Sequence, residues 1–336
     1  MTTLGITWFV LIILFLGIYY VLDGFDLGAG VLSPFITKTE PEKRALVRAI
    51  GPVWNGNEIW LLAACAALFA AFAPAYACVF SGFYILIMLV LFALIMRAVA
   101  LEFRMHDIKY RKIWDWVFFI GSLLPAFFFG VILGNCIQGV QLDASGNYTG
   151  GFWALLQPFP LLCGIFGLAT ILMQGDAWLA LKIERGTELQ RRARFIRLVM
   201  QIIVVLLFAA TSFISLAMQD FVLGSGEPLV FKIVGLLLVI IGIIGSFVSG
   251  GRGADRICFV CGALFCVGII VLFGAMMFPN FVISTATGPS IAIATAASSD
   301  LTLSVMSIFA CIGVPLVFVY HIFVYRMFCG RIPVKK

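Results

Sequence analysis

Nine stretches of this chain stay apolar for about 20 residues or more, at roughly 6–33, 51–73, 76–101, 116–138, 154–181, 198–219, 229–249, 257–281 and 303–326. A helix of about 20 apolar residues is what it takes to cross the hydrocarbon core of a bilayer. Inside lipid every backbone N–H and C=O must be bonded within a helix or a closed barrel. Barrel strands would show short segments of alternating apolar and polar residues, unlike these long runs. The sequence therefore predicts an all-α polytopic membrane protein with about nine transmembrane helices. Charged residues make up 11% of the 336, against about 25% in soluble domains. That excludes a soluble globular enzyme, a disordered chain and a nucleic-acid binder. The net charge of +6 sits in short clusters between the apolar runs. The first run has no charged leader and no A-x-A site, so it reads as a span and not as a cleaved signal. The Ser/Thr/Ala-rich stretch 284–300 reads as an external loop.

The basic residues fix an expected orientation, because cytoplasmic loops are enriched in Lys and Arg. Lys38, Lys43, Arg44 and Arg48 follow the first run, and Arg104, Lys109, Arg111 and Lys112 follow the third. Lys182, Arg185, Arg191, Arg192, Arg194 and Arg197 follow the fifth, and Arg252 and Arg256 the seventh. Arg326, Arg331, Lys335 and Lys336 close the chain, and Lys232 alone falls near the other side. An external N-terminus and a cytoplasmic C-terminus are expected. A weak repeat supports a parallel duplication: KRALVRAI from Lys43 and RRARFIRL from Arg191 lie 148 residues apart with four spans between them. The expected organisation is one integral-membrane domain. It holds a four-helix bundle over 6–138, a second over 154–281, and an extra helix at 303–326. Chance similarity of two basic loops is the competing explanation.

An ionisable group near the bilayer centre costs roughly 2.5–3.5 kcal/mol on the insertion scale, so each one calls for a reason. Five candidates fall inside the runs: Asp23, Asp26, Glu58, Arg97 and Asp176. At 1.5 Å per residue they lie about 10–15 Å from the basic end, in one band of depth. Asp23 and Asp26 share a helix face at i, i+3, as do Asn55 and Glu58. Gly24 and Gly28 offer a small-xxx-small face for close helix approach. Asp23, Asp26, Asn55 and Glu58 are the candidates for a proton pathway, since carboxylates in a low-dielectric site exchange protons near neutral pH. Arg97 and Asp176 read as intramembrane ion-pair or anchor residues, paired with charges at the helix ends.

The chain is poor in redox ligands. His106 falls in a basic loop, and His321 lies near the inner end of the last run. Axial haem ligands are usually His, Met, Cys or Tyr, so one haem is the most it could hold, and none is expected. Cys258 and Cys261 form a C-x-x-C, but on an apolar helix with no second pair, and the nine cysteines read as small apolar residues. No metal site is expected. From these features alone, a proton-coupled secondary transporter ranks first.

The motifs change that order. DGFDLGAGVLSPF from Asp23, GPVWNGNEIWLL from Gly51, FSGFY from Phe80 and RAVALEFR from Arg97 occur in sequence. WDWVFFIGSLLPAFFFGV from Trp114 and GNCIQGV from Gly134 follow. This set resembles subunit II of the cytochrome bd quinol oxidases, in the shorter, cyanide-insensitive-like form. The likeness is close over the first four spans and looser beyond. It implies a terminal oxidase of the bacterial cytoplasmic membrane that oxidises quinol and reduces dioxygen to water, with protons drawn from the cytoplasm. The b- and d-type haems are expected on the partner, subunit I, and none on this chain. The resemblance also implies support of subunit I, a share in proton delivery, a structural quinone and a small accessory subunit. Asp23 and Asp26 match the two acids of the family's first-helix motif. Some members carry a proton-delivering aspartate where Asn55 stands. An amide cannot relay by ionising, so Glu58, one turn on, is expected to substitute. The transporter remains the alternative, and a purely insulating subunit is a third reading.

Overall fold

The computed structural model describes residues 2–218 and 229–334. Residue 219 at the end of the sixth run, and Lys335 and Lys336, lie outside the described residues. The helices are α1 Thr3–Ile36, α2 Glu40–Ile50, α3 Trp54–Ala71, α4 Ala73–Gly82, α5 Tyr84–His106 and α6 Arg111–Gln138. They continue as α7 Pro158–Lys182, α8 Glu188–Met218, α9 Leu229–Gly251 and α10 Asp255–Met277. A two-stranded antiparallel pair, β1 Asn280–Val282 and β2 Ile291–Ala292, precedes the short α11 Ile293–Ala296 and the long α12 Asp300–Met327. Among the described residues eight helices are long and apolar enough to span, and the α2–α3 pair, bent by 45°, supplies a ninth.

Two expectations need revision. The third run, 76–101, is not one helix: α4 ends at Gly82, Phe83 leaves helical geometry (φ −98°, ψ 23°), and α5 starts afresh at Tyr84. Apolarity alone could not reveal that break, since Phe83 is itself buried and apolar. The stretch 284–300 is also more ordered than a plain loop. It holds β2 and α11, and the Ser298 N–H donates to the Ala71 carbonyl at 2.8 Å.

The two similar basic segments fall in differently built surroundings. KRALVRAI lies in α2, and RRARFIRL opens α8. Gly51-Pro52 follows the first copy, where proline removes a backbone donor and breaks the helix. Val199-Met200 stands 148 residues on, and α8 runs through unbroken. α1 packs against α3, α6, α7 and α10, while α5 packs on α6, α7 on α8, and α9 on α10. α12 lies outside, with Leu303 and His321 its buried residues. It is tied at both ends: the Trp8 indole donates to the Leu303 carbonyl at 3.1 Å, and the Tyr325 hydroxyl to Asn57 Oδ1 at 2.9 Å.

The basic segments meet at one end of the molecule. Arg104 pairs with Asp115 at 2.5 Å and Glu40 at 3.2 Å, and Lys43 with Asp115 at 2.6 Å. Asp255 gathers Arg194 at 2.7 Å and Arg331 at 3.2 Å. Arg192 of α8 donates to Glu42 of α2 and to the Ile36 carbonyl of α1. Glu42 lies in the first turn of α2, at the basic end and ahead of the apolar part of the α2–α3 pair. Burial opposes its charge. The backbone N–H of Lys38, the Arg192 guanidinium and the Thr39 N–H outweigh that and hold the carboxyl below its ordinary value. A depressed folded value means ionised Glu42 stabilises the fold at neutral pH, and the gain is lost as pH falls through that value. Glu42→Gln is therefore expected to lower the melting temperature of the solubilised protein at pH 7, with the gap closing below about pH 4. Melting curves at the two pH values check this, and an equal gap at both would contradict it.

Candidate functional site

The α1 motif D-G-F-D places Asp23 and Asp26 on one face, and both are completely buried. From α5, Arg97, also completely buried, reaches this face. Its Nη2 donates to Asp23 Oδ1 at 2.8 Å and to Glu58 Oε1. From α3, Asn57 Nδ2 donates to Asp26 Oδ2 at 2.6 Å and to the Leu22 carbonyl at 3.2 Å. The other side of the Asn57 amide accepts from Tyr325 of α12. Four helices thus converge on one polar centre within apolar surroundings. Glu58 is half-buried and forms its edge.

Several polar atoms of this centre are buried without a hydrogen-bond partner among the described residues: Asp23 Oδ2, Asp26 Oδ1, Arg97 Nε and Nη1, Trp60 Nε1 and His321 Nε2. His321 Nδ1 lies 2.9 Å from the Val317 carbonyl, one turn back on its own helix, and its ring stacks on Tyr325 with centroids 6.2 Å apart. Three carboxylates thus face one guanidinium. Buried ion pairs of this kind add little net stability but are costly to break, because the partner left behind is an uncompensated charge.

The structure brings together Asp23, Asp26 and Glu58 of the expected set and leaves Asn55 out. Asn55 is exposed and makes no contact with the cluster, and Asn57 holds the amide position instead. The cluster meets α3 at Glu58, through Arg97, and at Asn57, through Asp26. Arg97 is ion-paired, but at the centre of the acid cluster and not as a helix-end anchor. Asp176 is not an anchor either. It is completely buried, and neither of its oxygens has a hydrogen-bond partner among the described residues; Arg197, the cation whose charge it feels, lies 3.5 Å from Asp255. Asn57 and Tyr325 escaped the sequence reading. Asn57 stands inside the W-x-G-N-x-x-W motif and could have been found there. Tyr325 is about 270 residues from its partner, and nothing local marks it. Among the described residues no group of three or more His, Cys, Asp or Glu could hold a metal ion.

Residues 4–328 match the family model for cytochrome bd terminal oxidase subunit II. The chain belongs to that family. It is therefore a subunit of a terminal oxidase, an oxidoreductase complex, and a multi-pass protein of the bacterial cytoplasmic membrane. The probable cytochrome oxidase subunit 2 of Haemophilus influenzae is 33% identical over 97% of this chain and 94% of its own. The cytochrome bd-I ubiquinol oxidase subunit 2 of Escherichia coli K12 is 33% identical with the same coverage. The cytochrome bd ubiquinol oxidase subunit 2 of Bacillus subtilis is 33% identical over 100% of this chain and 99% of its own. A chain of the bd oxidase of Geobacillus thermodenitrificans superposes with a TM-score of 0.75 at 16% identity, covering 97% and 99% of the two chains. That likeness speaks for the fold. Family membership sets the transporter reading aside.

Proposed function

We propose that this subunit supports a haem-bearing subunit I and carries protons from the basic end toward the site of dioxygen reduction. The observation that carries the reading is the ratio of three intramembrane carboxylates to one guanidinium. Full ionisation would leave an excess of buried negative charge, and a shared, movable proton relieves it. Water bridges buried polar groups of this kind, and the orphaned oxygens and nitrogens around Asp23, Asp26 and Arg97 offer it partners. Glu58, half-buried, takes protons at the edge, and Asp26 with Asn57 and Tyr325 extends the network to α12. The basic end is read as cytoplasmic by the positive-inside rule, with the N-terminus outside. In this reading Asn55, exposed on α3, lies where a partner chain can cover it. Residues 6–138 and 154–281 act as two four-helix units, with 303–326 added.

The haems, b- and d-type, are assigned to subunit I, where the haem iron supplies the oxygen chemistry. The chain offers two histidines, too few for several haems. Neither of two apolar cavities lined by described residues of the spanning helices includes one. A structural quinone would suit the larger of those cavities, about 220 Å³, with Phe9, Leu16, Tyr19, Tyr20 and Phe281 in its walls. Quinol is the reductant, the lipid membrane the medium, and a small accessory subunit a further partner.

The test is turnover in the intact complex. Glu58→Gln and Asp26→Asn are expected to leave the haem spectrum and subunit ratio unchanged while lowering quinol oxidase turnover by about tenfold or more, as loss of a proton-transfer group does. Normal turnover in both assembled variants would refute the relay and leave a supporting role.

A further inference from the structure

At the basic end a cavity of about 680 Å³ opens between the α2–α3 corner, the last turns of α5 and α7, and the segment that follows α12. Its charged lining is Arg48, Lys182 and Arg331 against Glu102. Arg331 is committed elsewhere, to Asp255 at 3.2 Å and to the Ile183 carbonyl at 2.7 Å. Lys182 is 7% exposed. Its ammonium donates to the Phe328 carbonyl and sits 4.9 Å from the Trp178 ring centroid, and neither partner carries a formal negative charge. Arg48 is exposed at the mouth. Among the described residues neither Lys182 nor Arg48 has a carboxylate within ion-pair distance. A nearly buried lysine without a counter-ion is costly unless an anion completes it. The rest of the wall is apolar, and Met105, Met327 and Phe328 leave it exposed.

We propose that this cavity holds the phosphate headgroup of an anionic phospholipid. Lys182 and Arg48 supply the counter-charge, and the methionine and phenylalanine rim lies along the acyl chains. A basic pocket beside the ends of spanning helices is the setting in which anionic lipid headgroups bind. The apolar rim favours a lipid over a free anion, which would gain nothing from it.

The purified oxidase complex, titrated with phosphatidylglycerol in detergent and weighed by native mass spectrometry, tests the assignment. One phosphatidylglycerol retained per complex is expected. Arg48→Gln and Lys182→Gln should each weaken it about fivefold, the effect of one cation near an anionic lipid surface. Lys182→Gln keeps a donor for the Phe328 carbonyl. Arg48→Gln removes an exposed, unpaired charge, so it assembles even if the other variant does not. Equal retention of phosphatidylcholine would overturn the proposal, since headgroup charge would then be irrelevant. Displacement by inorganic phosphate at matching concentration would make the site one for free anions and overturn the lipid. Photocross-linking from Arg48→Cys into another polypeptide of the complex, with no lipid captured, would mean that a protein segment fills the cavity.

Discussion

Arg97→Leu is expected to abolish accumulation of the assembled oxidase. The change leaves Asp23, completely buried, and Glu58 facing each other with no cation between them. Removing one partner of a buried ion pair costs about 3–5 kcal/mol, a large part of the stability of most domains. Leucine cannot refill the polar geometry, and the Tyr19 hydroxyl beside Asp23 is neutral and supplies no counter-charge. Combining Arg97→Leu with Asp23→Asn and Glu58→Gln should recover assembly, because removing a whole buried ionic group is far less costly than splitting it. The recovered complex should still be impaired in turnover, which separates the cluster's structural cost from its role in proton transfer. Haem absorbance per milligram of membrane protein, together with the melting temperature of the solubilised complex, measures both. Wild-type haem content and melting temperature in the single variant would show that Arg97 does not hold the cluster together.

The second large effect is steric, and two glycines of one motif respond in opposite ways. A Cβ on Gly28 would stand 2.2 Å from the Ile171 carbonyl oxygen and 3.1 Å from the Gly175 Cα. Both neighbours are backbone of α7, so nothing flexible can yield, and α1 must move off α7. Overpacking of this kind costs about 1–3 kcal/mol and more where backbone is the obstacle. A Cβ on Gly24 meets only the Ile171 Cγ1, at 3.7 Å, an ordinary contact. Gly28→Ala is therefore expected to reduce assembled complex severalfold and lower its melting temperature by several degrees, about what 1–3 kcal/mol implies. Gly24→Ala should sit close to wild type. The small-xxx-small pair thus divides: Gly28 makes the helix contact, and Gly24 does not. Equal behaviour of the two variants in haem content and melting temperature would contradict the crossing at Gly28.

What the sequence determined by itself was the class of molecule and the family. Nine apolar runs, the basic clusters after every second run and the motifs around Asp23 and Trp54 are local patterns, and each is readable without knowing what packs against it. The acids also announced themselves, because a charge inside an apolar run is conspicuous at any position. Tertiary structure decided how those charges are partnered. Arg97 reads from its run as an ion-pair or anchor residue, and α5 carries it into the acid cluster as an ion-pair partner. Asp176, which looked equivalent, is left without a hydrogen-bond partner among the described residues, and Arg197 beside it is paired with Asp255. Asn55 and Asn57 differ by two residues, or about 200° around a helix, and which of them meets Asp26 depends on the rotation of α3 against α1. That rotation is set by close packing along the whole length of both helices, not by any residue near the site. Tyr325 enters for the same reason, since α12 returns to the cluster from the far end of the chain.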